Sequence, residues 1–224
     1  MVKERIIETD SGIQDELEVE IYDSFLKGMR DRGWLETNLI IATGINKGLS
    51  LEIGPGPGYL GLEWLKKTEG TQLKGVEISA SMIKLAEKNA EEYGLSARAN
   101  YVVGDARNMP FSDNTFDGVF TNGSLHEWSQ PEKIFNEIFR VLKPQGIYFI
   151  SDMRRDMNFF IKWFMKAIAK PKEIRSSLIT SINASYTLKE IRSILNVTAL
   201  KNSTVSCNPM GIIIKGIKQY KVKI

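Results

Sequence analysis

Apolar residues recur every four positions at Ile13, Leu17, Ile21, Phe25 and Met29, a spacing that predicts one helical stripe within residues 12–45. A short apolar run, Leu49–Ile53, then breaks into Gly54-Pro55-Gly56-Pro57-Gly58 and gives way to helical spacing over Tyr59–Lys67, so a buried strand turns sharply into a helix. The alternation continues with a strand at Gln72–Glu77, a helix at Ser79–Tyr93, strands at Asn100–Gly104 and Phe116–Thr121, a helix at Pro131–Leu142 and a strand at Gly146–Ser151. Residues 105–115 lack helical periodicity, which reduces that crossover to a loop. Strands alternating with helices predict an α/β fold with a mostly parallel sheet covered on both faces. After Asp152 the pattern changes to one or two helices up to Tyr186, with a break at Pro171. A last helix follows at Leu188–Leu195, then a hairpin near Thr204–Ser206 and Gly211–Ile217. Four segments result: N-terminal helices over 1–48 expected to cover the ligand site, a ligand-binding core over 49–151, a helical substrate-cap insertion over 152–186, and a helix with a hairpin over 187–224 that completes the same sheet.

Composition narrows the class. The chain has 224 residues, 42% of them hydrophobic and 25% charged, enough for one packed core and too apolar for disorder. A net charge of +3 is no nucleic-acid footprint, and none is expected as a partner. The single cysteine, Cys207, excludes an internal disulfide and any thiolate metal centre, so a reducing cytoplasm and no metal are expected. The opening residues carry both charges and lead into no signal-like stretch, and no window approaches the roughly 18 apolar residues of a membrane-spanning helix.

Glycines at 54, 56 and 58 between a strand and a helix let the backbone approach a ligand without interference from a Cβ. Gly56-Pro57-Gly58-Tyr59-Leu60-Gly61 satisfies the dinucleotide fingerprint literally, and Glu77 follows about 20 residues later, where a ribose-binding acid belongs. An NAD-dependent oxidoreductase is therefore one reading. Against it, Pro55 and Pro57 remove two backbone donors that a pyrophosphate would use. Glu52, Glu77 and Asp105, all near strand ends, better suit a cationic ligand.

Leu51-Glu52-Ile53-Gly54-Pro55-Gly56-Pro57-Gly58, Glu77 ending the second strand, Gly104-Asp105-Ala106, Phe116-Asp117-Gly118-Val119-Phe120 and Leu142-Lys143-Pro144-Gln145-Gly146 together resemble the class I S-adenosylmethionine-dependent methyltransferases. The likeness is nearest to the small-molecule enzymes of ubiquinone and menaquinone biosynthesis, and it covers residues 49–151. It implies a Rossmann-like, doubly wound, seven-stranded sheet with an antiparallel C-terminal hairpin, and S-adenosyl-L-methionine as cofactor. By that resemblance Gly54, Gly56 and Gly58 wrap the methionine part, with Glu52 near its ammonium group. Glu77 accepts both ribose hydroxyls, Ile78 and Met82 flank the adenine, Asp105 and Ala106 meet its edge, and Asn122 and Gly123 line the methionine side.

Methyl transfer from a sulfonium is an in-line displacement, so alignment and exclusion of water are the main requirements. His126, the only histidine, stands where this family faces its acceptor and is the candidate base. Tyr22, Trp128, Arg154, Phe160 and Phe164 are the candidate acceptor residues. Met157, Phe160 and Phe164 fall on one helical stripe that would roof an apolar pocket, and the basic residues around it would suit an anionic acceptor or an acidic lipid surface. The expected partner is a small or amphipathic methyl acceptor, with peripheral membrane contact, on a monomer or homodimer. A non-catalytic binding module that keeps the fold is the remaining alternative.

Overall fold

The computed structural model describes residues 4–8 and 11–219. Seven strands form one sheet: β1 (Leu49–Ile53), β2 (Gln72–Glu77), β3 (Ala99–Val103), β4 (Phe116–Asn122), β5 (Leu142–Met153), β6 (Thr204–Cys207) and β7 (Gly211–Ile217). Their order across the sheet is β3-β2-β1-β4-β5-β7-β6. β1 to β5 pair in parallel, and β7 runs antiparallel to both β5 and β6. The order reverses between β1 and β4, the place where open α/β sheets leave a crevice at their carboxyl edge.

Eight helices cover the sheet or its end: α1 (Glu16–Asp31), α2 (Thr37–Ala42), α3 (Tyr59–Lys67), α4 (Ala80–Glu92), α5 (Pro131–Val141), α6 (Phe159–Ile168), α7 (Ile174–Ala184) and α8 (Leu188–Leu195). Alternation along each strand sends successive side chains to opposite faces. Leu51, Ile53 and Val119 join Phe135, Ile138, Ile191 and Leu195 in a core against α5 and α8. Phe120 and Phe149 join Ile40, Trp64 and Leu65 in a second core against α2 and α3. Trp64 is wholly buried there, and its indole N–H donates to the Ile45 carbonyl at 2.8 Å. Between β3 and β4 the only helical element is a short 3-10 turn, Ala106–Asn108, as the missing periodicity implies.

The leader departs from its expected form. Two helices separated by a turn replace a single stripe, and Leu17 is 64% exposed whereas Val19 is buried. Ile21 and Phe25 do pack, with Tyr22, against Met157, Leu178 and Ile182 of the insertion. The insertion itself forms two helices, α6 and α7. Phe160 and Phe164, expected to roof a pocket, point outward and are 74% and 49% exposed. The cause lies in α6 itself, which carries two apolar faces. Ile161 and Met165 take the inward one, packing with buried Met157 and Ala169.

Candidate active site

At the carboxyl ends of β1, β2 and β3 lies a narrow cleft of about 70 Å³. Gly54, Glu77, Ile78, Asp105 and Ala106 line one part of it; Ser124, Glu127, Trp128 and Ile134 line the other. The Glu77 carboxylate is buried and accepts the amides of Gly56, at 3.1 Å, and Ser79, at 3.0 Å. Burial raises its pKa, and those backbone donors oppose the rise. Each oxygen keeps a further lone pair for a ligand donor. Asp105 is held by the Arg107 guanidinium and backbone N–H, which keep its carboxyl below the ordinary value. It remains an anion at the cleft edge.

The glycine turn is built from its own amides. Gly54 N–H donates to the Val76 carbonyl at 2.9 Å, Gly56 N–H to Glu77, and Gly58 N–H to the Pro55 carbonyl at 2.9 Å. All three glycines have positive φ, and a Cβ on Gly58 would stand 2.8 Å from the Tyr101 hydroxyl. With Pro55 and Pro57 lacking a donor, the bend presents few N–H groups outward. That is the opposite of what a pyrophosphate needs, and it argues against the dinucleotide reading.

Several expected contacts are not brought to the cleft. Glu52 lies on the other face of β1, beneath Gly61 of α3, where its Oε2 has no hydrogen-bond partner among the described residues. Burial, reinforced by Glu77, raises its pKa well above the ordinary value, which disfavours the charged form that would attract an ammonium group. Met82 is buried in α4, and its side chain does not line the cleft. Asn122 spends its amide on Glu36 and Ser151, at 3.1 and 3.0 Å. Gly123, beside it, has open space around its Cα and also stands off the cleft. Arg154 is tied to Asp156 at 2.7 Å and, like Phe160 and Phe164, does not line it. The structure thus assembles Glu77, Ile78, Asp105 and Ala106 along one edge of the cleft and leaves the glycine turn under Tyr22, whose ring would lie 3.3 Å from a Cβ on Gly56.

Beyond Ser124 the cleft wall turns acidic. His126 is buried, its Nδ1 2.9 Å from Asp152 Oδ2 and its Nε2 3.5 Å from Glu8 Oε2. Burial pulls the imidazole down, but Asp152, by charge and hydrogen bond, together with Glu127 and Glu8 lifts it to about 9. At neutral pH His126 is therefore an imidazolium clamped between two carboxylates, with no lone pair for a proton. This geometry does not support the expected base. Glu127, its neighbour, lines the cleft; burial raises it and the His126 charge lowers it, leaving it at about 7. Glu8, His126 and Glu127 each place a potential metal-ligand atom within 4.8 Å of one another, a donor set that reasoning from the lone cysteine overlooked. The Tyr22 hydroxyl is raised by burial and by Glu127, Asp152, Glu77 and Glu8. Trp128 closes the floor, edge-on to Phe135 with ring centres 5.5 Å apart.

Two residues of the leader were not foreseen. Gly12 lies over Ile78, and the Ser79 hydroxyl donates to the Ile13 carbonyl at 2.5 Å, so this part of the leader crosses the cleft beside Glu77 and Ile78. Glu8 arrives from the same segment, which Arg5 pins through the carbonyls of His126, Trp128 and Ala184. No local pattern announces a contact across more than 110 residues; only Glu127, adjacent to the histidine, had a signal in the His126-Glu127-Trp128 run.

A family profile described as a methyltransferase domain matches residues 51–150. The ubiquinone/menaquinone biosynthesis C-methyltransferase UbiE of Cereibacter sphaeroides is 27% identical over 113 residues, 50% of this chain and 45% of that protein. A sterol 24-C-methyltransferase of Gibberella zeae is 38% identical over 106 residues, 47% of this chain and 28% of that one. The matched stretch thus spans less than half of these relatives. A solved structure of a proposed S-adenosyl-L-methionine-dependent methyltransferase from Methanococcus maripaludis superposes with a TM-score of 0.74 at 24% identity, over 98% of this chain and 100% of that one. Residues 51–150 thus match a methyltransferase-domain family, and the chain as a whole shares its fold with that solved structure.

Proposed function

We propose that the protein transfers a methyl group from S-adenosyl-L-methionine to a small molecule whose acceptor atom sheds a proton, such as an amine or a hydroxyl. The observation that carries this reading is the placement of Glu127, a carboxylate on the wall of the same cleft as Glu77 and Asp105, where burial raises its pKa. The cofactor fits the residues present. Glu77 has lone pairs for two ribose hydroxyls, Asp105 and Ala106 stand at the edge where an adenine amine would lie, and the turn offers few donors to phosphate. When bound, the cofactor supplies an electrophilic methyl on a sulfonium. The chain's residues then have three tasks: the acidic wall stabilises the positive charge, Trp128 and Tyr22 keep water out, and Glu127 takes the acceptor proton as the bond to the methyl carbon forms. Half-ionised near neutrality, Glu127 is matched to that task better than the His126 imidazolium.

The excess of acids over His126 at this end favours a neutral or cationic acceptor over the anionic one that the basic insertion suggested. Titration calorimetry with S-adenosylhomocysteine and with NAD tests the cofactor. Incorporation of labelled methyl into pooled amines and alcohols tests the acceptor. Binding of the adenosyl ligand alone, with methyl uptake abolished in Glu127→Gln, is the expected result. NAD binding, or full turnover in Glu127→Gln, overturns the proposal.

A further inference from the structure

We infer that α6 is a membrane-surface anchor that seats this face of the protein on anionic lipid. Phe159, Phe160, Trp163 and Phe164 are 73%, 74%, 62% and 49% exposed, and they sit together on the outer side of one ten-residue helix. At about 200 Å² per aromatic side chain, this leaves on the order of 500 Å² of exposed aromatic surface, the size at which patches on soluble proteins are usually functional. The inner face is satisfied by Ile161 and Met165, so nothing in the fold requires aromatics on the outside.

Charge selects the occupant. From Met157 to Lys172 the chain has no acidic residue and four lysines, of which Lys166, Lys170 and Lys172 are exposed. A second copy docked through this face would oppose lysines to lysines. Its aromatic area also falls below the roughly 800 Å² per partner of a stable protein interface. An anionic lipid surface meets both halves of the pattern, because the rings enter the headgroup boundary and the ammonium groups stay among the phosphates. Each lysine near such a surface is worth about a fivefold gain in partitioning. Docking would also bring the insertion that packs on α1 and Tyr22 close to lipid-borne molecules.

The test uses the full chain with vesicles of phosphatidylcholine alone and of phosphatidylcholine with 30% phosphatidylserine. Co-sedimentation measures partitioning, and quenching by brominated lipid, compared between the wild type and the variant lacking Trp163, reports on that side chain among the four tryptophans. We expect binding to the anionic vesicles that is at least tenfold stronger than to the neutral ones, about 25-fold weaker in Lys166→Gln/Lys170→Gln, and lost in Phe160→Ser/Trp163→Ser. Because all four positions are surface-exposed, circular dichroism should be unchanged in the variants. No binding to anionic vesicles, equal binding by the aromatic variant, or a wild-type dimer in sedimentation analysis that Phe160→Ser/Trp163→Ser abolishes would each overturn the anchor. Vesicle binding is read without methyl transfer, so its failure is separate from failure of the proposed reaction.

Discussion

Ionisation of His126 can be measured directly, since the chain contains one histidine and a tag-free protein gives one imidazole signal. An unfolded histidine titrates at about 6.5. In the fold the residue is lifted to about 9, because Asp152 and its neighbouring acids outweigh burial. The folded state thus holds a proton that the unfolded state releases between these two values. The stabilisation is fully present below about 6.5 and disappears as the pH rises through 9. At about 1.4 kcal/mol per pH unit, the difference amounts to roughly 3 kcal/mol, a large part of the 5–15 kcal/mol that stabilises a typical domain. Urea unfolding at pH 7 and pH 10 should register it as a midpoint shift of about 1 M or more in the wild type. His126→Gln should be less stable at pH 7, because it leaves Asp152 buried beside an uncharged partner, and its change over the same interval should be smaller than in the wild type, with Glu127, no longer lowered by the histidine charge, supplying what remains. Contributions common to both proteins cancel in the comparison. A histidine signal that titrates near 6.5, or a parallel loss of stability in wild type and variant, would refute the clamped imidazolium and reopen His126 as the base.

Three further outcomes follow from the cleft. Glu77→Ala should weaken S-adenosylhomocysteine binding by about 10- to 100-fold by calorimetry, the loss of one or two charge-assisted hydrogen bonds; unchanged affinity would remove Glu77 from the site. Gly56→Val should abolish that binding, since its φ of 52° disfavours a β-branched residue and its Cβ would stand 3.3 Å from Tyr22; retained affinity would show that the bend can shift freely. Gly58→Ala should lower stability by about 1–3 kcal/mol in urea melts, from a positive φ and displacement of the Tyr101 hydroxyl; a neutral effect would mean that neither matters.

Most of the sheet was legible because its signals are local. The run Leu51–Ile53 breaks into glycine and proline, and Glu77 closes a strand in a way that places it at the carboxyl edge. Glu52 was misplaced although period-two alternation was available to correct it. Leu51 and Ile53 face α5 and α8, so the residue between them has to face α3. Phe160 and Phe164 were unreadable for a different reason. A helix with apolar residues on two faces offers two ways to bury one of them, and only packing against Met157 and Ala169 chooses Ile161 and Met165. Glu8 and Gly12 lay beyond any local rule, since their neighbours at the cleft come from β2 and from the loop after β4.

The hydrogen bonds of Gly54, Gly56 and Gly58 have a consequence for affinity. Because the bend closes on Val76, Pro55 and Glu77, its shape exists before any visitor arrives, and docking there demands no new ordering of backbone. Whatever rearrangement accompanies occupancy falls instead on Tyr22 and the strand of chain near Gly12, so tight and slow capture would reflect the gate while the cradle stays rigid.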